Sequence, residues 1–154
     1  MRARRPAPAG RRARERQAGY GPVVVDASIA VQWFSHEPRS EASARLLVED
    51  LRFLAPDLMP VEAANAWWKK VRRGDMRATD LDQALVNLLG LGIELVPASS
   101  LLDRAARLAV EAGQSVYDCL YLALARASHA RLCTDDRALR RVALRLDIAV
   151  WTPE

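Results

Sequence analysis

The sequence predicts a helix-rich α/β fold, a three-layer α/β/α sandwich around a short parallel sheet. From residue 23 onward, short apolar runs alternate with helical patterns, as in a succession of strand–helix–strand crossovers. The apolar runs are continuous rather than alternating, as expected of strands covered on both faces. The chain has 154 residues, 51% of them hydrophobic and 27% charged, which fits one domain with a substantial core.

Residues 1–22 are rich in Arg, Pro, Gly and Ala and lack an apolar face, so they are expected to form a disordered tail. They lack the apolar stretch of a signal peptide, and a translation start within Val23-Val24-Val25 is an alternative reading of the segment. Residues 23–154 are expected to form the folded domain. Val23 to Asp26 reads as the first strand and Ala27 to Phe34 as a short helix, broken at His36-Glu37-Pro38. Ser40 to Arg52 reads as an amphipathic helix with Ala44, Leu47, Val48 and Leu51 on one face. Phe53-Leu54-Ala55 is a strand. A helix from Asp57 or Leu58 to Arg73 ends at Gly74. Thr79 to Leu89 follows, with Leu81, Leu85, Leu88 and Leu89 turned inward. Ile93 to Val96 is a strand stopped by Pro97, and Ser99 to Ala112 a helix ended by Gly113. Ser115 to Ser128 is a helix that is apolar almost all round. Leu132-Cys133-Thr134 is a strand, Asp135 or Asp136 opens a helix to Leu146, and Ile148 to Trp151 is the last strand.

Charge is unevenly spread. The net charge is +4, but residues 1–22 hold seven Arg against Glu15, a net +6, which leaves −2 for the rest. The basic character belongs to the tail and does not mark a nucleic-acid face on the domain. No apolar run approaches the roughly 18–20 residues of a membrane span. Cys119 and Cys133 sit in apolar patterns without metal spacing, and read as core residues in a reducing cytoplasm. Trp67 and Trp68 are adjacent in one helix and cannot share a face, so at least one is a candidate for an interface.

A few carboxylates are out of place. Asp26 follows three valines, Glu62 lies among apolar neighbours, Asp118 opens the most apolar helix, and Asp135 and Asp136 follow a strand directly. Each has a plain structural role open to it. Asp26, Asp135 or Asp136 can cap a helix, Glu62 can complement a helix dipole behind Pro60, and Ser115–Asp118 matches a capping box. Together they mean more. Asp26 and the Asp135-Asp136 pair fall at carboxyl ends of strands, and helices that follow parallel strands start at the same edge. No Lys or Arg stands three or four residues from Asp26, Glu62 or Asp118. Several carboxylates in one cleft repel unless a cation neutralises them. All-oxygen ligands without His or Cys suit Mg2+ or Mn2+, and such a site activates water against a phosphodiester. Ser28, Thr134 and Asn65 are polar neighbours able to orient ligands or water.

Four segments, in this order and spacing, resemble a known family: Val24 to Phe34, Pro60 to Asn65, Tyr117 to Ala125, and Leu132 to Leu139. The chain from residue 23 looks like a PIN domain, and more narrowly like a VapC-type ribonuclease toxin. The resemblance implies a PIN-like sheet with helices on both sides. It also implies a Mg2+- or Mn2+-dependent endoribonuclease acting on RNA of the tRNA or rRNA class, usually homodimeric and held inactive by a cognate antitoxin. Carried over by position, the catalytic acids are Asp26, Glu62, Asp118 and Asp136, with Asp26, Asp118 and Asp136 as metal ligands. Asp135 is the neighbouring alternative for the fourth acid. Ser28, Asn65 and Thr134 match auxiliary polar positions. The basic tail departs from the pattern.

Other acidic-pocket folds fit less well. A haloacid-dehalogenase-like phosphatase needs a second Asp where Ser28 stands, and a receiver domain needs a late Lys, whereas Lys69 and Lys70 are the only lysines. A catalytically silent module that binds RNA or protein is the remaining alternative.

Overall fold

The computed structural model describes residues 21–151. The expected tail lies outside the described residues, apart from Gly21 and Pro22. In chain order the elements are β1 (Val23–Val25), α1 (Ala27–Trp33), α2 (Ser40–Ala44), a 3-10 turn (Arg45–Val48), β2 (Phe53–Pro56), α3 (Met59–Arg73) and α4 (Ala78–Gly90). β3 (Glu94–Val96), α5 (Ala98–Ala112), α6 (Val116–Ala127), β4 (Arg131–Cys133), α7 (Arg137–Arg145) and β5 (Val150–Trp151) complete the chain.

All strands are parallel, in the order β3-β2-β1-β4-β5. The chain therefore starts in the middle of the sheet, moves out one way through β2 and β3, and returns to the other side through β4 and β5. Right-handed crossovers in opposite directions put the connecting helices on opposite faces. The reversal lies between β1 and β4, where Val25 is in register with Cys133. Ligands of open α/β sheets bind outside the carboxyl ends of the strands at such a point.

β1 is fully buried along its three valines. α6 packs across β1, β2 and β4, and seven consecutive residues, Cys119 to Ala125, are buried. This is the apolar-all-round helix expected from the sequence, and both cysteines are buried and free. Gly74 and Gly113 end α3 and α5 in the left-handed conformation, at φ 80° and 65°. Trp67 is buried, with its indole N–H donating to the Val31 carbonyl, while its neighbour Trp68 is 47% exposed. Among the described residues no helix is long and apolar enough to cross a membrane.

Three local expectations need correction. The helix expected over 40–52 stops at Ala44 and tightens into the 3-10 turn, which ends at Val48. The tighter winding puts Ser43 and Leu46 inside and leaves Val48 86% exposed. Leu89, expected inward, is 60% exposed, and Ala84 and Leu88 do the packing on α4 instead. Not every strand is covered on both faces: β3 is an edge strand whose Glu94 and Leu95 face solvent.

Candidate active site

Asp26 directly follows β1 at the switch point, with its N–H donating to the Cys133 carbonyl at 2.9 Å. It stands at the N-cap position of α1, yet its side chain does not cap the helix. Oδ2 accepts instead from the hydroxyls of Ser28 and Thr134, both at 2.7 Å. Those hydroxyls are oriented in turn by the backbone. The Asp135 N–H donates to Ser28 Oγ at 3.1 Å, and the Asp136 N–H to Thr134 Oγ1 at 3.0 Å. Two amides at the β4–α7 junction thus fix two hydroxyls, and the hydroxyls fix one carboxylate. Asp26 is only 9% exposed. Burial pushes its carboxyl above the ordinary range, the Ser28, Thr134 and Ala27 hydrogen bonds pull it down, and the nearby Asp118 charge raises it further.

Glu62 lies in the first turn of α3, behind Pro60 in a position where Pro is tolerated. Its Oε2 accepts from the Tyr121 hydroxyl. Its carboxyl is raised, first by burial and then by the Asp26 and Asp118 charges, against the lowering effect of Tyr121. Tyr121 reaches this point from the buried run of α6, and burial beside two carboxylates pushes its phenol far up, so it stays a neutral donor. Asp118 is three residues earlier on α6. Its N–H donates to Ser115 Oγ at 3.1 Å, so Ser115 caps the helix.

Asp26, Glu62 and Asp118 therefore stand in one another's field. Among the described residues no ion pair joins any of them to Lys or Arg. The other two acids are committed locally. Asp136 caps α7, with Oδ1 accepting from the Ala138 and Leu139 N–H groups at 2.6 and 3.0 Å. Asp135 pairs with Arg39 through Oδ1 and accepts from Gln32 Nε2 at 2.9 Å through Oδ2. Asn65 is exposed, one turn beyond Glu62.

The donor set is all oxygen and carries uncompensated negative charge, which fits a hard divalent cation. As they stand, the side chains are not gathered into ligand geometry: among the described residues no three His, Cys, Asp or Glu could together hold an ion.

The sequence reading missed Tyr121, Gln32 and Arg39. Tyr121 had a signal: a phenol inside an apolar helix must find a partner when buried. Gln32 and Arg39 had none, since their partner Asp135 is about 100 residues away, at separations of 103 and 96.

The PIN-domain family profile matches residues 23–144, from β1 into the last turn of α7. The chain belongs to the PIN-domain family. Ribonuclease VapC3 of Pyrobaculum aerophilum is 34% identical over 119 residues, covering 76% of this chain and 91% of that protein. Ribonuclease VapC9 of Mycobacterium tuberculosis is 31% identical over 117 residues, covering 76% and 87%. The crystal structure of PAE2754 from Pyrobaculum aerophilum superposes with a TM-score of 0.61 at 29% identity, covering 79% of each chain. The PIN-domain match starts at the strand that presents Asp26 and takes in Glu62, Asp118 and Asp136.

Proposed function

We propose that this PIN-domain protein is a divalent-metal-dependent endoribonuclease of the VapC type, the toxin of a toxin–antitoxin pair. The observation that carries the reading is the set of Asp26, Glu62 and Asp118 at the switch point, acidic, mutually repelling and without a basic partner among the described residues. Similarity to proteins named as VapC ribonucleases supports RNA as the substrate.

In this reading Asp26, Asp118 and Asp136 would hold Mg2+ or Mn2+. When bound, the ion supplies an activated water and screens the charge of the phosphodiester. The chain's own residues do the rest. Ser28 and Thr134 donate to Asp26 Oδ2 and favour its ionised form. Glu62, held through Oε2 by Tyr121, keeps Oε1 to orient the attacking water and take its proton. Asn65, exposed one turn along α3, offers an amide to the substrate. A homodimeric state, a cognate antitoxin that blocks the cleft, and a tRNA or rRNA target belong to the same reading.

Purified protein freed of any partner is expected to cut a total RNA pool with Mg2+ or Mn2+ and to stop when EDTA is added. Asp26→Asn is expected to abolish cutting. Absence of cleavage by the partner-free wild type with either ion overturns the enzyme reading.

A further inference from the structure

Beside the carboxylates a groove of about 360 Å3 runs between α1 and α3. Ser28, Gln32 and Asp135 line its end nearest the acids, and Ala66, Lys69, Lys70 and Arg73 line its other wall. The spacing along α3 makes this wall a stripe. Glu62, Asn65, Lys69 and Arg73 are three, four and four residues apart, so they share one helix face. From Glu62 to Arg73 the stripe rises eleven steps, about 16 Å at 1.5 Å per residue.

The cations along it differ in availability. Lys70 is tied to Glu37 at 2.7 Å and is largely covered. Lys69 is exposed and has no ion pair among the described residues. Arg73 pairs with Asp75 at 2.9 Å, but both are exposed, and exposed pairs give way at little cost. Next to the stripe, Trp68 presents an exposed ring with the Arg72 guanidinium 5.2 Å from its centroid. The groove carries Lys69, Lys70 and Arg73 against Glu37 and Asp135, a cationic excess able to track a single-strand backbone, while Trp68 lies outside its lining. At the opposite wall Gln32, 2% exposed, donates to Asp135 through Nε2 while its Oε1 has no hydrogen-bond partner. That is an unsatisfied buried acceptor behind the groove wall.

We propose that the α1–α3 groove is the track for the single-stranded RNA backbone flanking the scissile bond, with Lys69 and Arg73 as its phosphate contacts. The proposal rests on the ribonuclease reading and names the residues that position its substrate. An acidic carboxylate cluster repels a polyanion, so a basic track leading away from it is what brings the phosphodiester in.

The test separates binding from cutting. On the inactive Asp26→Asn background, in EDTA, binding of a fluorescent single-stranded RNA is titrated at several salt concentrations. Lys69→Ala/Arg73→Ala is expected to weaken binding about tenfold or more at low salt. It should also flatten the log–log salt slope by about 1.4, or 0.7 for each phosphate no longer neutralised. Lys69→Arg/Arg73→Lys is expected to restore both. In the active protein the defect should appear as a raised KM. Unchanged affinity and slope overturn the track, as does a variant that loses a partner protein but not RNA. If wild type cuts RNA and the double variant binds it equally well, only the track fails. If wild type cuts no RNA, the ribonuclease reading fails first.

Discussion

Burial makes the ionised form of Asp26 costly to the fold. Burial raises its carboxyl, and Glu62 is raised for the same reason. A raised acid binds more protons in the folded than in the unfolded chain between its ordinary pKa and its raised one. Stability is therefore full below the ordinary carboxylate range and declines as pH climbs through the raised values. Asp26→Asn removes that charge and leaves an amide oxygen for the Ser28 and Thr134 hydroxyls. In EDTA the variant should melt above wild type at pH 7, and the gap should close as pH falls below the ordinary carboxylate range. Melting scans across pH check this, and a lower melting point at pH 7 would contradict it. Tyr121 is the second residue with a measurable role. Tyr121→Phe removes the donor to Glu62 and should cost about 1 kcal/mol of stability, together with a loss of cleavage. Denaturant unfolding beside a cleavage assay checks it. Of these groups, Asp26, Ser28 and Thr134 are legible in the sequence because they follow strands directly or lie within three residues of one. Tyr121 is hidden because its apolar helix explains it as core.

Helix ends make the site, and a helix end can be read two ways from sequence. Asp136 caps α7 by geometry and is also the candidate fourth acid. The two roles come apart under substitution. Asp136→Asn retains a capping oxygen and should keep the melting point, while Asp136→Ala should cost about 1 kcal/mol. If the proposed ligand role holds, cleavage falls in both. Thermal melts of the pair beside cleavage assays decide it, and full activity in the Asn variant would reduce Asp136 to a cap. Ser115 does for α6 what Asp136 does for α7, which leaves the Asp118 carboxylate uncommitted. Elsewhere the pattern of apolar residues locates the elements, and tertiary packing sets their faces. Ala44, Leu47, Val48 and Leu51 suit an α-helix at 3.6 residues per turn. The chain instead buries Ser43, whose carbonyl accepts from the Trp33 indole at 2.9 Å, and winds tighter after Ala44. That bond joins residues ten apart and has no local signature.

Across the molecule, the alternation of strands and helices is enough to predict a parallel sheet, since βαβ connections leave few other solutions. The order β3-β2-β1-β4-β5 is not readable, because it depends on which way each crossover turns. The edge position of β3 follows from that order and explains its exposed Leu95. If the carboxylate set holds a divalent cation as proposed, that cation binds the folded chain and not the unfolded one. Mn2+ at a hundred times its Kd should therefore add about 2.7 kcal/mol of stability, and Asp26→Asn should lose most of that gain. Calorimetry with and without EDTA measures both. The pairing of β1 with β4 has a further consequence, which concerns time. Asp26 emerges early in synthesis, but Thr134, which holds it, is made 108 residues later. At about 5–20 residues per second the ribosome needs about 5–20 s to cover that distance. Throughout the interval the nascent chain carries its first acid without the strand that secures it. If Asp26 has the proposed role, a new molecule cannot cut RNA until that late strand has been made and paired.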